Sequence, residues 1–169
     1  MQWSKLRSRM REFLAPDVRK RVDFHLTTYR KLSELASEFW VTIDGERIFS
    51  ASTTRNDIAT YVLTRTTGLL NYGDGPEPRM VEVALSRREV HAPVDVTSSI
   101  RTYFDLDPRI ALASSDPILK ALAMLDRRIG RRTLRAAKLA DDERSLVRTL
   151  YALRMECFDR RPRQFASLP

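Results

Sequence analysis

The sequence has very few of the residues on which metal-dependent and disulfide-stabilised proteins depend. Its 169 residues include one cysteine, Cys157, and two histidines, His25 and His91. A single cysteine cannot form an intramolecular disulfide, and these three residues are too few for a zinc cluster built from Cys and His ligands. We therefore expect no metal site and no disulfide framework, and the lone thiol agrees with a reducing compartment.

Long apolar runs are also missing. The longest stretch without a charged residue, residues 66–73, contains Gly, Asn and Thr, whereas a membrane helix needs about 20 apolar residues. Charged residues interrupt the N-terminal region, where a secretory signal would have an apolar run of roughly 7–15 residues. The sequence predicts a cytoplasmic protein with no membrane partner.

Glycine is scarce, with 5 residues, and no glycine-rich phosphate-binding motif is present. Neither G-x-x-x-x-G-K nor G-x-G-x-x-G occurs, and the chain has no G-x-S-x-G nucleophile elbow and no H-E-x-x-H metal motif. The chain therefore carries no recognisable catalytic constellation, and we expect no cofactor. This absence favours a binding or interaction protein over an enzyme.

Positive charge is what the sequence has in excess. Its 30 basic and 22 acidic residues give a net charge of +8, and 25 of the basic residues are arginine. Residues 1–31 carry a net charge of +6, residues 32–126 of −5 and residues 127–169 of +7. A basic protein concentrates near acidic partners such as nucleic acid or an acidic protein. Two alternatives stay open: the acidic middle segment neutralises the basic ends, or a GC-rich genome accounts for the arginines.

The densest positive charge lies around Gly130. Guanidinium groups suit phosphate because their planar fork bonds two oxygens at once, so the cluster predicts an anion-binding patch, with the N-terminal helix as a second contributor. A solvated or internally paired basic face is the alternative. A helix-turn-helix fits poorly, because Asp126 occupies a position that is normally small; this residue would instead pair with a nearby arginine and close its helix. The candidate residues are Arg127, Arg128, Arg131, Arg132 and Arg135.

A second candidate site lies on a predicted strand. Apolar and polar residues alternate over residues 22–26, which predicts a strand with His25 on its polar side. His25, Arg21 and Tyr29 share that side. There, a histidine would act as general acid or base, and an arginine would stabilise the phosphorane, in metal-free phosphodiester cleavage. The alternative is a structural histidine bonded to Asp23 or to a backbone carbonyl.

The apolar residues change period along the chain, and this change predicts an α+β fold. A stripe at helical spacing over residues 3–15 is followed by alternation at period two. Asp44-Gly45 predicts a two-residue hairpin turn, because a type I′ turn needs positive φ at both positions. The resulting register places Trp40 opposite Phe49. We expect an N-terminal helix, a three-stranded antiparallel meander and a C-terminal helical bundle packed on the sheet. The predicted strands cover residues 22–30, 39–44 and 46–52.

Two sequence patterns in the helical part of the chain mark where a helix begins. Asp107 and Asp116 each precede a proline, which is the pattern of an N-cap acid before a proline at the first helical position. The second opens a helix predicted over residues 117–129, with Gly130 as its stop.

No linker is long enough to separate two domains, so one domain is predicted over residues 1–169. Its parts are a helix and sheet over residues 1–53, helices over 54–159 and a frayed tail over 160–169. Further helices are predicted over residues 56–70, 78–90 and 97–105 and from residue 141, with a loop over 71–78 and a break at residue 93. For residues 78–90 a strand is the alternative, because Val81, Val83 and Leu85 alternate with polar or small residues.

Three stretches of the chain resemble a family of small bacterial proteins of unknown function. They are Met-x-Trp-Ser-Lys-Leu-Arg (residues 1–7), RVDFHLTTYR (residues 21–30) and DPILKALAMLDRRIG (residues 116–130). The resemblance implies a bacterial cytosolic protein with one domain over the whole length, and it carries over no catalytic residue. Two functional hypotheses follow from the residues themselves. The first is a binding protein that engages an acidic protein or nucleic acid through arginine-rich surfaces, and the second is a metal-free nuclease that uses His25.

Overall fold

The predicted order of one helix, three strands and further helices is present in the computed structural model, which describes residues 2–29, 36–66, 85, 89–137 and 139–160. The sheet is antiparallel with strand order β1-β2-β3, so the predicted α+β class is confirmed. The strands are β1 (Val22–Thr28), β2 (Ser37–Ile43) and β3 (Glu46–Ser52). The helices are α1 (Trp3–Phe13), α2 (Pro16–Arg19), α3 (Thr53–Thr66), α4 (Pro93–Phe104), α5 (Pro108–Leu112), α6 (Pro117–Leu125), α7 (Arg131–Ala136) and α8 (Ser145–Asp159).

The chain divides into two compact units. The helical unit consists of Met1–Asp23, Ile43–Gly45 and Ser99–Pro169, and the sheet unit consists of Phe24–Thr42 and Glu46–Ser98. The helical unit contains 22 basic and 13 acidic residues, a net charge of +9, whereas the sheet unit contains 8 and 9, a net charge of −1. The excess positive charge therefore belongs to one unit. The single domain predicted over the whole length stays a prediction.

The core of the helical unit is built around α6. Seven of the nine α6 residues are buried, and α6 packs against both α5 and α8. A helix that is apolar around most of its circumference is stable only when neighbours cover it on several sides. In α8 an apolar stripe at helical spacing is buried, including the thiol of Cys157. The residues of this stripe are Leu146, Leu150, Leu153 and Cys157.

The prediction that α6 continues to residue 129 is wrong, because the helix ends at Leu125. Asp126 has extended backbone angles, φ −69° and ψ 132°, and forms an antiparallel bridge with Leu14. Backbone hydrogen bonds of 2.8 and 2.9 Å join residues 13–15 to residues 125–127 around this bridge. The pairing with a distant segment ends the helix although the sequence remains favourable for helix.

Other helix boundaries also differ from the predictions. Gly130 does not end a helix; it is the N-cap of α7. Pro93, predicted as a break, begins α4, since the first helical turn tolerates proline. The last helix begins at Ser145 rather than at residue 141, and Glu143 instead accepts a 2.7 Å hydrogen bond from Lys120 Nζ. The caps predicted at residues 107 and 116 are confirmed. The predictions for residues 30, 67–84, 86–88 and 161–169 lie outside the described residues.

The predicted hairpin turn is confirmed. Asp44 and Gly45 connect β2 to β3 with φ of 51° and 88°, the positive values that a type I′ turn needs. Phe49, predicted to lie opposite Trp40, has its ring 6.3 Å from that of Phe39. The Trp40 ring is instead covered by His25 and Arg47.

Candidate anion-binding surface of the helical unit

The five arginines predicted to bind an anion differ in their existing partners. Arg128 is ion-paired with Asp126 at 2.7 Å, and Arg131 is ion-paired with Asp159. The other three are exposed, and in the described part of the chain their side chains make no hydrogen bond or ion pair. They are Arg127, Arg132 and Arg135. Anion binding by these residues stays a prediction, and the alternative of internal pairing applies to two of the five.

Asp126 is the centre of a charged network beneath this surface. Its side chain is completely buried and accepts a 2.5 Å hydrogen bond from the hydroxyl of Tyr103. Arg128 donates to it from Nη2 at 2.7 Å, from Nε at 3.1 Å and from the backbone N–H at 2.7 Å. A buried carboxylate needs such partners to offset the loss of water. The predicted pairing of Asp126 with a nearby arginine at the helix end is confirmed.

The network shifts the pKa values of both groups that face Asp126. The hydrogen bond to Asp126 raises the pKa of Arg128 above its ordinary value. Burial raises the pKa of Tyr103, and the hydrogen bond to Asp126 raises it further. The Tyr103 hydroxyl is therefore held in its neutral, donating form, and Arg128 is held as a cation.

Arg128 also belongs to a chain of cation and ring contacts, which we call the arginine–phenylalanine ladder. The Cζ atom of Arg9 lies 4.3 Å from the ring centroid of Phe104. The rings of Phe104 and Phe13 are stacked, with centroids 5.6 Å apart and planes at 22°. Arg128 Cζ lies 4.6 Å from the Phe13 centroid. The ladder thus joins α1, α4 and the segment after α6 through contacts that attract a guanidinium to a ring face.

Both guanidinium groups of the ladder remain accessible. The side chains of Arg9 and Arg128 are 42% and 40% exposed. Arg9 has one ion pair, at 3.9 Å, with Asp105, whose own side chain is 87% exposed. In the described part of the chain, the Arg9 side chain makes no hydrogen bond. Its N–H groups are therefore available to an external acceptor.

One face of α1 extends the surface beyond the ladder. It forms a depression of about 430 Å³ whose lining residues follow helical spacing. The lining combines two hydroxyls, two cations and one carboxylate, and hydroxyls and cations are the side-chain groups that most often contact phosphate oxygens. The residues are Ser4, Lys5, Ser8, Arg9 and Glu12.

Two other basic residues of α1 are used internally. Arg7 donates to the carboxylate of Asp23, and Arg11 lies 3.9 Å from the same group. These two side chains support the internal-pairing alternative. Only part of the basic N-terminal helix is therefore open to a partner, and the open part is the face that carries Lys5 and Arg9.

His25 lies in the sheet unit, stacked on a tryptophan. The rings of His25 and Trp40 are 5.0 Å apart at 7°, and His25 Nε2 lies 3.3 Å from Thr42 Oγ1. Arg47 covers the same indole, with its Cζ 4.7 Å from the Trp40 ring centroid. Glu38 accepts a 2.5 Å hydrogen bond from Arg47 Nη1. The planar groups of three strands thus pack together around one indole.

The other two residues of the predicted catalytic set have separate partners. Tyr29 is exposed and donates a 3.2 Å hydrogen bond to Glu38. Arg21 belongs to the helical unit and donates to Asp44 at 2.6–3.1 Å and to Glu156 at 3.2 Å. The Asp44 contact raises the pKa of Arg21, and the same hydrogen bond lowers the pKa of Asp44. A catalytic role for His25, Arg21 and Tyr29 stays a prediction, and Arg21 already has two carboxylate partners.

Sequence reasoning did not identify the ladder. Phe13 lies on the apolar stripe of α1 and Phe104 at the end of a predicted helix, so periodicity assigns both to the core. Their contacts with Arg9 and Arg128 join segments that are far apart in the chain. The one usable signal was that Arg9 and Phe13 are four residues apart, which places them on the same side of a helix.

Two kinds of feature are absent from the described residues. No group of three or more His, Cys, Asp and Glu residues there is placed to hold a metal ion. No helix there is long and apolar enough to cross a membrane.

Comparison with known proteins identifies a family for nearly the whole chain. The model of the SF0329 protein family matches residues 2–155, so the chain belongs to that family. The match confirms the predicted membership of a small family of unknown function, and the bacterial origin implied by the resemblance stays a prediction. Neither the curated proteins nor the solved structures contain a match.

Proposed function

We propose that this member of the SF0329 family is a binding protein that engages an acidic partner through its helical unit. The contact region, which we call the arginine surface, comprises the ladder arginines and the three exposed arginines around α7, together with Lys5. The observation that carries the proposal is that three of the five candidate arginines around α7 are exposed and have no hydrogen-bond or ion-pair partner among the described residues. The surface consists of Lys5, Arg9, Arg127, Arg128, Arg132 and Arg135.

Electrostatics supports this assignment. A unit with a net charge of +9 creates a positive potential that attracts anions and speeds their association. Exposed charges contribute little to folding, since even paired surface charges are worth only about 0–1 kcal/mol. Unpaired, exposed arginines therefore do little for this fold, and an acidic partner supplies the countercharge that the chain lacks. The proposal places the protein in the cytoplasm, and its single, buried thiol agrees with that compartment.

The test must separate a localised surface from the attraction of any basic protein for a polyanion. We propose to measure retention on immobilised heparin for Arg132→Glu and, as a matched control, for Arg55→Glu. Both residues are exposed and both substitutions change the charge equally, but Arg55 lies in the sheet unit. We expect Arg132→Glu to elute at clearly lower salt and Arg55→Glu to elute close to the wild type. Equal shifts for the two variants would show that only the net charge matters and would overturn the proposal.

A metal-free nuclease centred on His25 is the second candidate. It is favoured by the sheet network, in which Glu38 links Tyr29 and Arg47 to the His25–Trp40 stack. The test is cleavage of a labelled RNA in the presence of EDTA by the wild type and by His25→Gln. Cleavage that is lost in the variant supports this candidate. Cleavage of equal rate in both proteins, or none in either, counts against it.

A further inference from the structure

The residue composition of the arginine surface indicates whether its acidic partner is a protein or a nucleic acid. Protein interfaces have a dry apolar centre in which a few large side chains contribute most of the binding energy. In the described part of the helical unit, the one large hydrophobic residue that is exposed is Ile110, and it is not part of the arginine surface. Interfaces with nucleic acids are instead polar and strongly positive. The surface therefore fits a nucleic acid better than an acidic protein.

The same surface favours contact with the backbone rather than with bases. Non-specific binders of single strands stack bases on open aromatic rings. The two rings of the ladder are each covered by a guanidinium, Phe104 by Arg9 and Phe13 by Arg128. The depression on α1 presents two hydroxyls and two cations beside the carboxylate of Glu12. Hydroxyls and cations bond phosphate and sugar and carry no sequence information.

The ladder prepares its two arginines for such contacts. A guanidinium that rests on a ring has fewer orientations to lose when it binds, and loss of side-chain freedom is one of the main costs of association. Arg9 is held by Phe104, whereas the exposed Arg132 has no ring contact in the described part of the chain. Arg128 is held on two sides, by the Phe13 ring and by the buried Asp126.

We infer that the acidic partner is a nucleic acid, bound through its phosphates without sequence preference, with Arg9 and Arg128 as pre-positioned phosphate contacts. The inference rests on the proposed function, because it names the class of partner that the same surface takes. Each contact neutralises a phosphate and releases a counterion, so binding weakens steeply with salt.

The first experiment measures fluorescence anisotropy of labelled 20-base-pair DNA duplexes of two unrelated sequences with the full chain at several salt concentrations. We expect equal affinities for the two duplexes. Three to five contacts give a slope of log K against log salt of roughly −3 to −5. Arg132→Gln should reduce the magnitude of that slope by about 1, and Arg55→Gln in the sheet unit should leave it unchanged. A marked preference for one duplex would overturn sequence-independent binding.

The second experiment tests the ladder with substitutions that keep the charge. Arg9→Lys loses the planar contact with Phe104, so we expect affinity to fall about two- to fivefold, the equivalent of one exposed cation–π contact, with the salt slope unchanged. Arg132→Lys loses the planar fork but no ring contact, so it should lose clearly less affinity than Arg9→Lys. Equal losses in the two variants would overturn the pre-positioning role of the ladder.

A competitor distinguishes this inference from the proposed function. Polyglutamate presents carboxylates at high density and no phosphate. If the chain binds polyglutamate in an Arg132-dependent way and binds no duplex DNA, the proposed function stands and the nucleic-acid inference is overturned. If it binds neither at low salt, both are overturned.

Discussion

The hydroxyl of Tyr103 donates a 2.5 Å hydrogen bond to the buried carboxylate of Asp126. Arg128 reaches the same carboxylate from the surface, with its Nη2 at 2.7 Å. One buried acid therefore connects a core tyrosine to an arginine of the proposed binding surface. The stability of the helical unit and the position of Arg128 depend on the same group.

Removing this acid should destabilise the fold. Asp126→Ala leaves the Tyr103 hydroxyl and one face of Arg128 without their acceptor, and breaking a buried, hydrogen-bonded network costs about 2–4 kcal/mol. Urea denaturation followed by circular dichroism measures the change. Asp105→Ala, at a carboxylate that is 87% exposed, is the control and should leave the unfolding midpoint unchanged. If Asp126→Ala lowers the free energy of unfolding by less than about 1 kcal/mol, the buried carboxylate does not stabilise the helical unit as argued.

Tyr103 should make stability depend on pH in the alkaline range. Its pKa is raised in the folded protein, so its contribution is complete below about pH 10, the unfolded-state value. The contribution is lost as the pH rises above that value towards the folded-state pKa. Tyr103→Phe should cost about 1–2 kcal/mol at pH 7 and should show a shallower loss of stability above pH 10. Urea titrations of both proteins between pH 7 and pH 11 measure the difference, and parallel curves would refute the prediction.

The hairpin turn should tolerate only residues that accept positive φ. Gly45 has φ of 88°, and a Cβ placed there would meet no described atom within 4 Å, so backbone strain alone decides the outcome. Gly45→Val should destabilise by about 1 kcal/mol or more, because a β-branched residue resists this conformation. Gly45→Asn is the matched comparison and should lose much less, since asparagine tolerates positive φ. Chemical denaturation of both variants tests the ranking.

The exposed arginines should be dispensable for folding. Arg132→Glu removes no described contact, and surface substitutions of this kind stay within about 0.5 kcal/mol. Arg128→Glu, in contrast, places a second carboxylate beside the buried Asp126 and should prevent folding or lower the melting temperature strongly. Differential scanning fluorimetry distinguishes the two. A large loss for Arg132→Glu would mean that any effect of this substitution on binding reflects unfolding.

Several features of this protein could be predicted from the sequence because their causes are local. Asp44-Gly45 specifies its turn through the φ values that those two residues accept. Asp107 and Asp116 cap their helices because each acid is followed by a proline and by free backbone N–H groups. The apolar stripe ending at Cys157 is buried because its spacing places it on one side of α8.

Other features were decided by tertiary structure, since their causes lie far apart in the chain. The pairing of Asp126 with Leu14 ends α6 where the local sequence favours helix. Which arginines are paired depends on carboxylates such as Asp159, which the fold brings to Arg131. The ladder forms because three separate segments of the chain meet in the fold, where the rings of Phe13 and Phe104 contact guanidinium groups. Periodicity shows which side of a helix a residue occupies, but only folding determines what stands opposite it.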